Sequence, residues 1–359
     1  MKRERKQILH VSETMASGVL RYIQEAVRAG GDGAEHTILC SRGRAFTPSD
    51  VERLFPASTR IVDIDFRGMG TLRTLFRYIR ENKPDAVHLH SSIAGAYGRI
   101  VMLMFPGIPT YYTPHGYSFL MTNKSSAVRA LYWGAEWLLS HGNSRVVACS
   151  PSEYRQALRL SGLRKPALVE NSLHPPEGKT NGDRTVRAII GIGRMEEQKN
   201  PLLFVAVAAL VRQEDPSVQA VWVGDGRLRE SCERVSRELG AEVRFTGWLS
   251  HGEAMDLLQR SAVFVQTAKW EGLPYSVLEA FATGVPVVAS DIESHRDLFE
   301  SGEFRGFVAD SAEAFAEYTL KLVRDPQLVT SVSRHNQAVM MEKYERFRAS
   351  LQALYQVSE

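Results

Sequence analysis

The sequence predicts an α/β protein made of two Rossmann-like, doubly wound halves with a cleft between them. Three observations predict it. At 359 residues the chain exceeds the length over which one hydrophobic core keeps growing, so two domains of ordinary size are expected. Short runs rich in Val and Ile alternate with helical patterns from end to end, the signature of βαβ units around parallel sheets. Between two series of such units lies Asn171-Ser-Leu-His-Pro-Pro-Glu-Gly-Lys-Thr-Asn-Gly-Asp183, a polar stretch with the prolines and glycines of a linker.

In the first series, strands are expected at 7–12, 36–41, 60–63, 86–90, 110–113, 146–150 and 167–170. In the second they are expected at 186–191, 218–223, 243–246, 262–266, 286–289 and 306–308. The boundary falls near residue 175, giving domains of 1–174 and 175–338. From about 331 the chain is one long helical pattern with Met340, Met341, Tyr344, Phe347, Leu351, Leu354 and Tyr355 recurring at helical spacing.

Composition excludes several classes. With 44% apolar and 24% charged residues the chain is globular rather than disordered. A net charge of +3 is too small to imply nucleic acid. The three cysteines, Cys40, Cys149 and Cys232, form no C-x-x-C pair, so neither a disulfide framework nor a zinc site is indicated, and a reducing cytoplasm is expected. The basic start MKRERK runs into a strand-like stretch rather than a signal-peptide core. The longest apolar runs, 100–105 and 206–211, fall far short of the ~20 residues of a spanning helix, so any membrane contact would be peripheral.

The chemistry gathers at strand ends. Glu271-Gly-Leu-Pro-Tyr-Ser-Val-Leu-Glu279 sets two carboxylates eight positions apart where a strand gives way to a helix. Pro274 suits the first turn of that helix, whose N-terminal amides and dipole favour an anion such as a diphosphate. Taken alone, the segment reads equally as solvated surface with a cap. Upstream, Gly191-Ile-Gly193-Arg194-Met-Glu-Glu-Gln-Lys199-Asn200-Pro puts an Arg and a Lys on a strand-to-helix turn. The Arg would pair with a pyrophosphate bidentately and the Lys as a point charge.

Gly191-x-Gly193 lacks the third glycine of the dinucleotide fingerprint, because Glu196 stands there, which weakens a nicotinamide reading. Gly224-Asp-Gly226 reads as an ordinary strand-end turn. In the first half, Ser17-Gly18 opens a helix after the first strand, where a small residue lets backbone amides approach a phosphate. His90 and His115 each stand at a strand end, on the carboxyl edge where open α/β sheets bind ligands, although strand-end histidines are often structural. Neither a nucleophilic triad nor a D-x-D metal pair is evident.

In this order the pieces resemble the retaining glycosyltransferases of family four, which have the GT-B architecture. The resemblance covers nearly the whole chain: Ser17-Gly18, Thr113-Pro-His115-Gly116, Gly193-Arg194 through Lys199-Asn200, Glu271 to Glu279, and Thr283-Gly-Val-Pro-Val-Val-Ala-Ser290. It implies a hexosyl- or N-acetylhexosaminyltransferase that retains anomeric configuration, needs no metal or cofactor, and uses a nucleotide-sugar donor, a UDP-sugar being favoured. Residues 1–174 would bind the acceptor and 175–338 the donor, with 339–359 a helix crossing back to the first domain.

The same resemblance implies catalytic roles for His115, Arg194, Lys199 and Glu271. Donor contacts would come from Gly18, Gly193, Arg194, Lys199, Glu271, Gly272, Leu273, Pro274 and Glu279. Where the family often has a glycine pair and an acidic residue, this chain has Asp291-Ile-Glu-Ser-His-Arg-Asp-Leu298.

The expected acceptor is a glycan or polyprenyl-linked glycan in exopolysaccharide, capsule or O-antigen assembly. Two stretches suggest docking on the anionic inner face of the cytoplasmic membrane. One is 66–83, with Arg67, Arg73, Arg77 and Arg80 beside Leu72, Leu75, Phe76 and Ile79; it reads equally as an ordinary sheet-covering helix. The other is 124–140, with Tyr132, Trp133 and Trp137 near Lys124 and Arg129. A UDP-sugar epimerase and a non-catalytic sugar-nucleotide-binding protein are the rival readings.

Overall fold

The computed structural model describes residues 5–15, 17–41, 54–175 and 187–356. It divides into two units, Met1–Ser172 with Glu345–Glu359, and Leu173–Tyr344.

The first unit runs β1 (Lys6–Ser12), α1 (Ser17–Gly30), β2 (Ala34–Cys40), β3 (Arg60–Asp63), α2 (Gly70–Asn82), β4 (Ala86–His90), α3 (Ser92–Met102), β5 (Thr110–Thr113), α4 (Ser126–Ser140), β6 (Arg145–Ala148), α5 (Pro151–Arg159) and β7 (Ala167–Leu168). Its strands are parallel, in the order β3-β2-β1-β4-β5-β6-β7. Every residue of β4 and β5 is buried, as expected of strands covered on both faces. Helix starts are capped locally: the Ser150 hydroxyl accepts from Glu153 N–H, and Pro151 supplies the first turn of α5.

The second unit runs β8 (Ala188–Ile192), α6 (Pro201–Glu214), β9 (Gln219–Val223), α7 (Arg229–Glu238), β10 (Arg244–Phe245), α8 (His251–Arg260), β11 (Val263–Gln266), α9 (Tyr275–Ala282), β12 (Val287–Ser290), α10 (Glu293–Glu300), β13 (Phe307–Ala309) and α11 (Ala312–Arg324). Its parallel order is β10-β9-β8-β11-β12-β13. Phe204, Trp222 and Phe315 anchor its core between sheet and helices.

Among the described residues every expected strand is present, with ends shifted by a residue or two; Val186 lies outside them. In both sheets the strand order reverses once, between β1 and β4 and between β8 and β11. Such switch points open a crevice at the carboxyl ends of the flanking strands, which is where open α/β sheets take ligands.

Three expectations are corrected. The start of the expected linker is core, since Asn171, Ser172 and Leu173 are buried; the polar composition hid that Asn171 N–H still bonds the Cys149 carbonyl. Residues 176–183 of that linker lie outside the described ones. Met341 faces solvent at 60% exposure while Met340 is buried, because adjacent helical positions point about 100° apart.

The third correction concerns the α2 stripe. Leu75 and Ile79 are buried, and Leu72 and Phe76 pack against the same core, so no apolar face of α2 remains for a membrane. Arg67, Arg73, Arg77 and Arg80 are exposed.

The final helix, α12 (Pro326–Tyr355), is continuous, and its last turns belong to the first unit. There the Tyr355 hydroxyl lies 2.6 Å from His88 Nδ1, and Gln352 Nε2 donates to the Ala29 carbonyl.

Candidate functional site

The switch point of the second sheet carries the predicted cations and carboxylate. After β8 the chain turns through Gly193 to Asn200 before Pro201 opens α6, and after β11 it turns through Thr267 to Pro274 before α9. The two turns are stitched together. Lys269 N–H donates to the Gln198 carbonyl at 2.8 Å, Gln198 Nε2 to the Trp270 carbonyl at 3.2 Å, and the Thr267 hydroxyl to the Lys199 and Asn200 carbonyls. Within this frame Lys199 Nζ lies 2.7 Å from Glu271 Oε1, with only 17% and 11% of the two side chains exposed.

Glycines make the first turn possible. Gly193 has φ +153°, and a Cβ there would press on the Lys199 side chain at 3.0 Å. Gly224, at φ +129°, lies so near the turn that a Cβ would be 2.1 Å from the Gly193 carbonyl oxygen, and one on Gly226 would be 2.6 Å from that of Met195. Gly224-Asp-Gly226 is therefore a strand-end turn with a second task. It is the floor on which Gly193 and Arg194 rest, tied by Gly193 N–H to the Val223 carbonyl and Met195 N–H to the Asp225 carbonyl.

The other predicted residues take these places. Arg194 is exposed on the same turn as Lys199. Gly272, Leu273 and Pro274 are buried in the turn ahead of α9. Pro274 stands just outside the helix rather than in its first turn: its φ of −73° suits Pro, but its ψ of 126° is extended, and its carbonyl accepts from Val277 N–H. Glu279 sits a turn into α9, with Oε1 3.8 Å from His251 Nε2, an ion pair only when that ring is protonated.

Sequence reasoning gave no role to His295, which lies in α10 within the segment Asp291 to Leu298 where this chain departs from the family pattern. It is fully buried, with Nδ1 2.9 Å from the Ser290 carbonyl and no partner for Nε2 among the described residues. Burial pushes its pKa down to about 4, and the Lys199 charge acts in the same direction. The ring is neutral and close enough to feel Lys199. In sequence it was indistinguishable from any polar helix residue.

In the first unit, Gly18 is the second residue of α1, and His115 lies two residues past β5 with φ +57°. This left-handed backbone is held by its neighbour: Gly116 N–H donates to Glu153 Oε1 at 2.7 Å, and Cys149 N–H to Glu153 Oε2 at 2.7 Å. His115 Nε2 lies 3.1 Å from His90 Nδ1. At this sheet's own switch point the buried Glu13 carboxylate accepts from Ala94 N–H in the first turn of α3, a helix-capping acid the sequence did not disclose.

Two cations on one glycine-rich turn at a switch point, one of them paired with a withdrawn carboxylate, together with a helix N-terminus, are suited to a phosphorylated ligand with a hydroxyl-bearing group attached. Comparison with known proteins agrees. Residues 17–171 match the glycosyl transferase 4-like domain, and residues 177–339 match glycosyl transferases group 1.

The UDP-Gal:α-D-GlcNAc-diphosphoundecaprenol α-1,3-galactosyltransferase of Escherichia coli is 28% identical over 320 residues, covering 82% of this chain and 81% of its own. The O-antigen biosynthesis glycosyltransferase WbnH of E. coli is 25% identical over 256 residues, covering 71% and 72%. Among solved structures, Anabaena HepE in complex with UDP-glucose superposes with a TM-score of 0.79 over 98% of both chains at 17% identity, a likeness of fold. None of these favours an epimerase. The chain belongs to the GT-B glycosyltransferases, with a 4-like first half and a group 1 second half, and is an enzyme of that class.

Proposed function

We propose that the enzyme moves a hexosyl or N-acetylhexosaminyl group, with retention and without a metal, from a UDP-sugar to a glycan carried on a polyprenyl diphosphate. The product would be a surface polysaccharide. The observation that carries this reading is the Lys199–Glu271 pair at the switch point of the second sheet. In the free enzyme the two charges are paired, while Glu271 Oε1 takes no well-aligned hydrogen bond among the described residues. An arriving diphosphate takes over Lys199, with Arg194 as the second cation, and Glu271 is released to accept from sugar hydroxyls.

As the bond between the anomeric carbon and the diphosphate oxygen breaks, negative charge grows on the departing group, and the two cations offset it there. Glu279 is assigned to the ribose hydroxyls, the backbone of Gly193 and of Gly272 to Pro274 to the nucleotide, Gly18 to phosphate or acceptor, and His115 to the donor sugar. The E. coli relative named for a diphosphoundecaprenol acceptor supports the acceptor class. The test is an incubation with UDP-sugars, a polyprenyl-diphosphate glycan and a chelator, reading the product by NMR. An α-configured linkage formed from an α-configured donor is expected; an inverted product, or activity lost with the chelator, would overturn retention or metal independence.

The same reading includes peripheral docking on an anionic membrane. No helix among the described residues is long and apolar enough to cross one. The support comes from α4, where Leu131 is 70% exposed, Leu138 66% and Trp137 43%. Its charged residues are withdrawn: Arg129 Nε donates to the Phe119 carbonyl, and Glu136 is buried against Arg99. Tyr132 packs partly into the core, so Trp133 and Trp137, not all three aromatics, face outward. Exposed Arg164 and Lys165 lie close to the end of α4, because Leu163 N–H bonds the Ser140 carbonyl.

A further inference from the structure

The first unit holds a feature that the transfer reading does not absorb, a row of histidines inside its sheet. His36 on β2, His10 on β1 and His90 on β4 are buried, and strand register with period two puts them on one face. His115 follows past β5. The rings join end to end: His36 Nδ1 to His10 Nε2 at 3.0 Å, His10 Nδ1 to His90 Nε2 at 3.0 Å, and His90 Nδ1 to His115 Nε2 at 3.1 Å.

A neutral imidazole carries one N–H and one bare nitrogen, and each contact needs one proton between its two nitrogens. Four neutral rings in series satisfy three contacts in only two ways, all Nδ1–H or all Nε2–H. Any mixture sets two protons or two lone pairs against each other.

The far end decides between the two. His36 Nε2 is buried with no partner among the described residues, and it presses so closely on Gly30 that a Cβ there would be 2.4 Å away. A buried N–H with no acceptor is rarer and costlier than an unused lone pair. His36 therefore keeps its proton on Nδ1, and the other three rings follow.

We infer that this row is a one-way hydrogen-bonded wire that presents His115 as an Nδ1–H donor, making His36, His10 and His90 positioning residues for the contact of His115 with the donor sugar. The use of that donor rests on the transfer reading; the wire itself does not. His115 is half-buried, and its described contacts are His90 and the edge of the Tyr22 ring, so Nδ1 is not spent on a described protein partner. Neutral rings are what burial favours: it pushes His36 down to about 4 and His115 to about 3, and holds His10 and His90 well below their ordinary values.

A metal is the competing use of these side chains. Nitrogens of His10, His88 and His90 lie within 4.8 Å of one another. Yet both ring nitrogens of all three are engaged, those of His88 with the Tyr355 and Thr113 hydroxyls, and a metal would have to break those bonds.

The test is a long-range proton–nitrogen correlation spectrum of the full chain labelled with ¹⁵N-histidine, at neutral pH and without ligands, before and after stoichiometric zinc. All four rings in the Nδ1–H form, unmoved by zinc, is the expected result. An Nε2–H or cationic His115, or zinc capturing His10, His88 and His90, would overturn the wire. In the folded His36→Asp variant, three bonds away from His115, the carboxylate offers His10 Nε2 only an acceptor, so the row reverses; His115 turns to the Nε2–H form and kcat falls several-fold at unchanged donor KM. A His115 still purely Nδ1–H in that variant would also overturn it. If the variant fails to fold, the wild-type spectrum decides. If no nucleotide sugar is turned over, the spectrum still stands and the transfer reading alone has failed.

Discussion

Lys199 Nζ and Glu271 Oε1, from turns following different strands of the second sheet, meet at 2.7 Å where the strand order reverses. Each charge is poised to be exchanged for a substrate group, so the two halves of the pair should fail differently. Lys199→Ala removes the cation that offsets the departing diphosphate, and kcat/KM should fall by about 10²–10³ with donor affinity also reduced. Glu271→Gln frees Lys199 for the diphosphate. Steady-state kinetics with a binding titration should then show donor affinity kept or improved while kcat falls; equal losses of affinity in both variants would contradict the exchange.

The floor under the first turn is a stability prediction. Gly224→Ala must place a Cβ against the Gly193 carbonyl oxygen at a φ of +129°, so the turn or the sheet end has to move. A loss of about 2–4 kcal/mol in chemical denaturation is expected, with weaker donor binding in whatever fraction folds.

The histidine row makes stability depend on pH with a definite sign. His36 and His88 are held near 4 and 3, against 6.5 in an unfolded chain, and His10 and His90 are also lowered by burial. Between about pH 6.5 and 4 the unfolded chain therefore binds more protons than the folded one, and stability is lost as pH falls through that window. Each ring contributes a slope of about 1.4 kcal/mol per pH unit where its two forms differ fully in protonation. Urea midpoints should be level above pH 7 and drop steeply from 6.5 to 5; a level profile down to pH 5 would contradict neutral buried rings.

The exposed face of α4 predicts a separable defect. Leu138→Asp with Trp137→Ser should abolish flotation with anionic vesicles, yet leave turnover of a soluble acceptor within about two-fold, since exposed substitutions of this kind change stability little. Equal flotation of variant and wild type would remove α4 from the membrane reading.

What the sequence disclosed follows from the range of each signal. Strands buried on both faces leave continuous apolar runs, so β4, β5 and β11 were legible one segment at a time. Glu271 and Lys199 were legible because strand-to-helix turns fix their spacing. Burial that depends on partners distant in sequence left no local mark. His295 resembled a polar helix residue until it was packed beside Ser290, and Ser172 resembled linker until it was enclosed.

The histidines show the same limit. His90 and His115 were singled out as strand-end residues, but His36, His10 and His88 were simply strand residues. Only the register of β2, β1 and β4 lines them up. Gly224 and Gly226 were recognised as a turn, while their contact with Gly193 and Met195 depends on two strands lying side by side.

The central claim is that Lys199 and Arg194 hold a diphosphate, and calorimetric titration of UDP against uridine tests it most directly. In Lys199→Ala and Arg194→Ala, UDP affinity should fall at least ten-fold while uridine affinity stays as in the wild type. UDP binding unchanged in both variants, or uridine weakened as much as UDP, would contradict it.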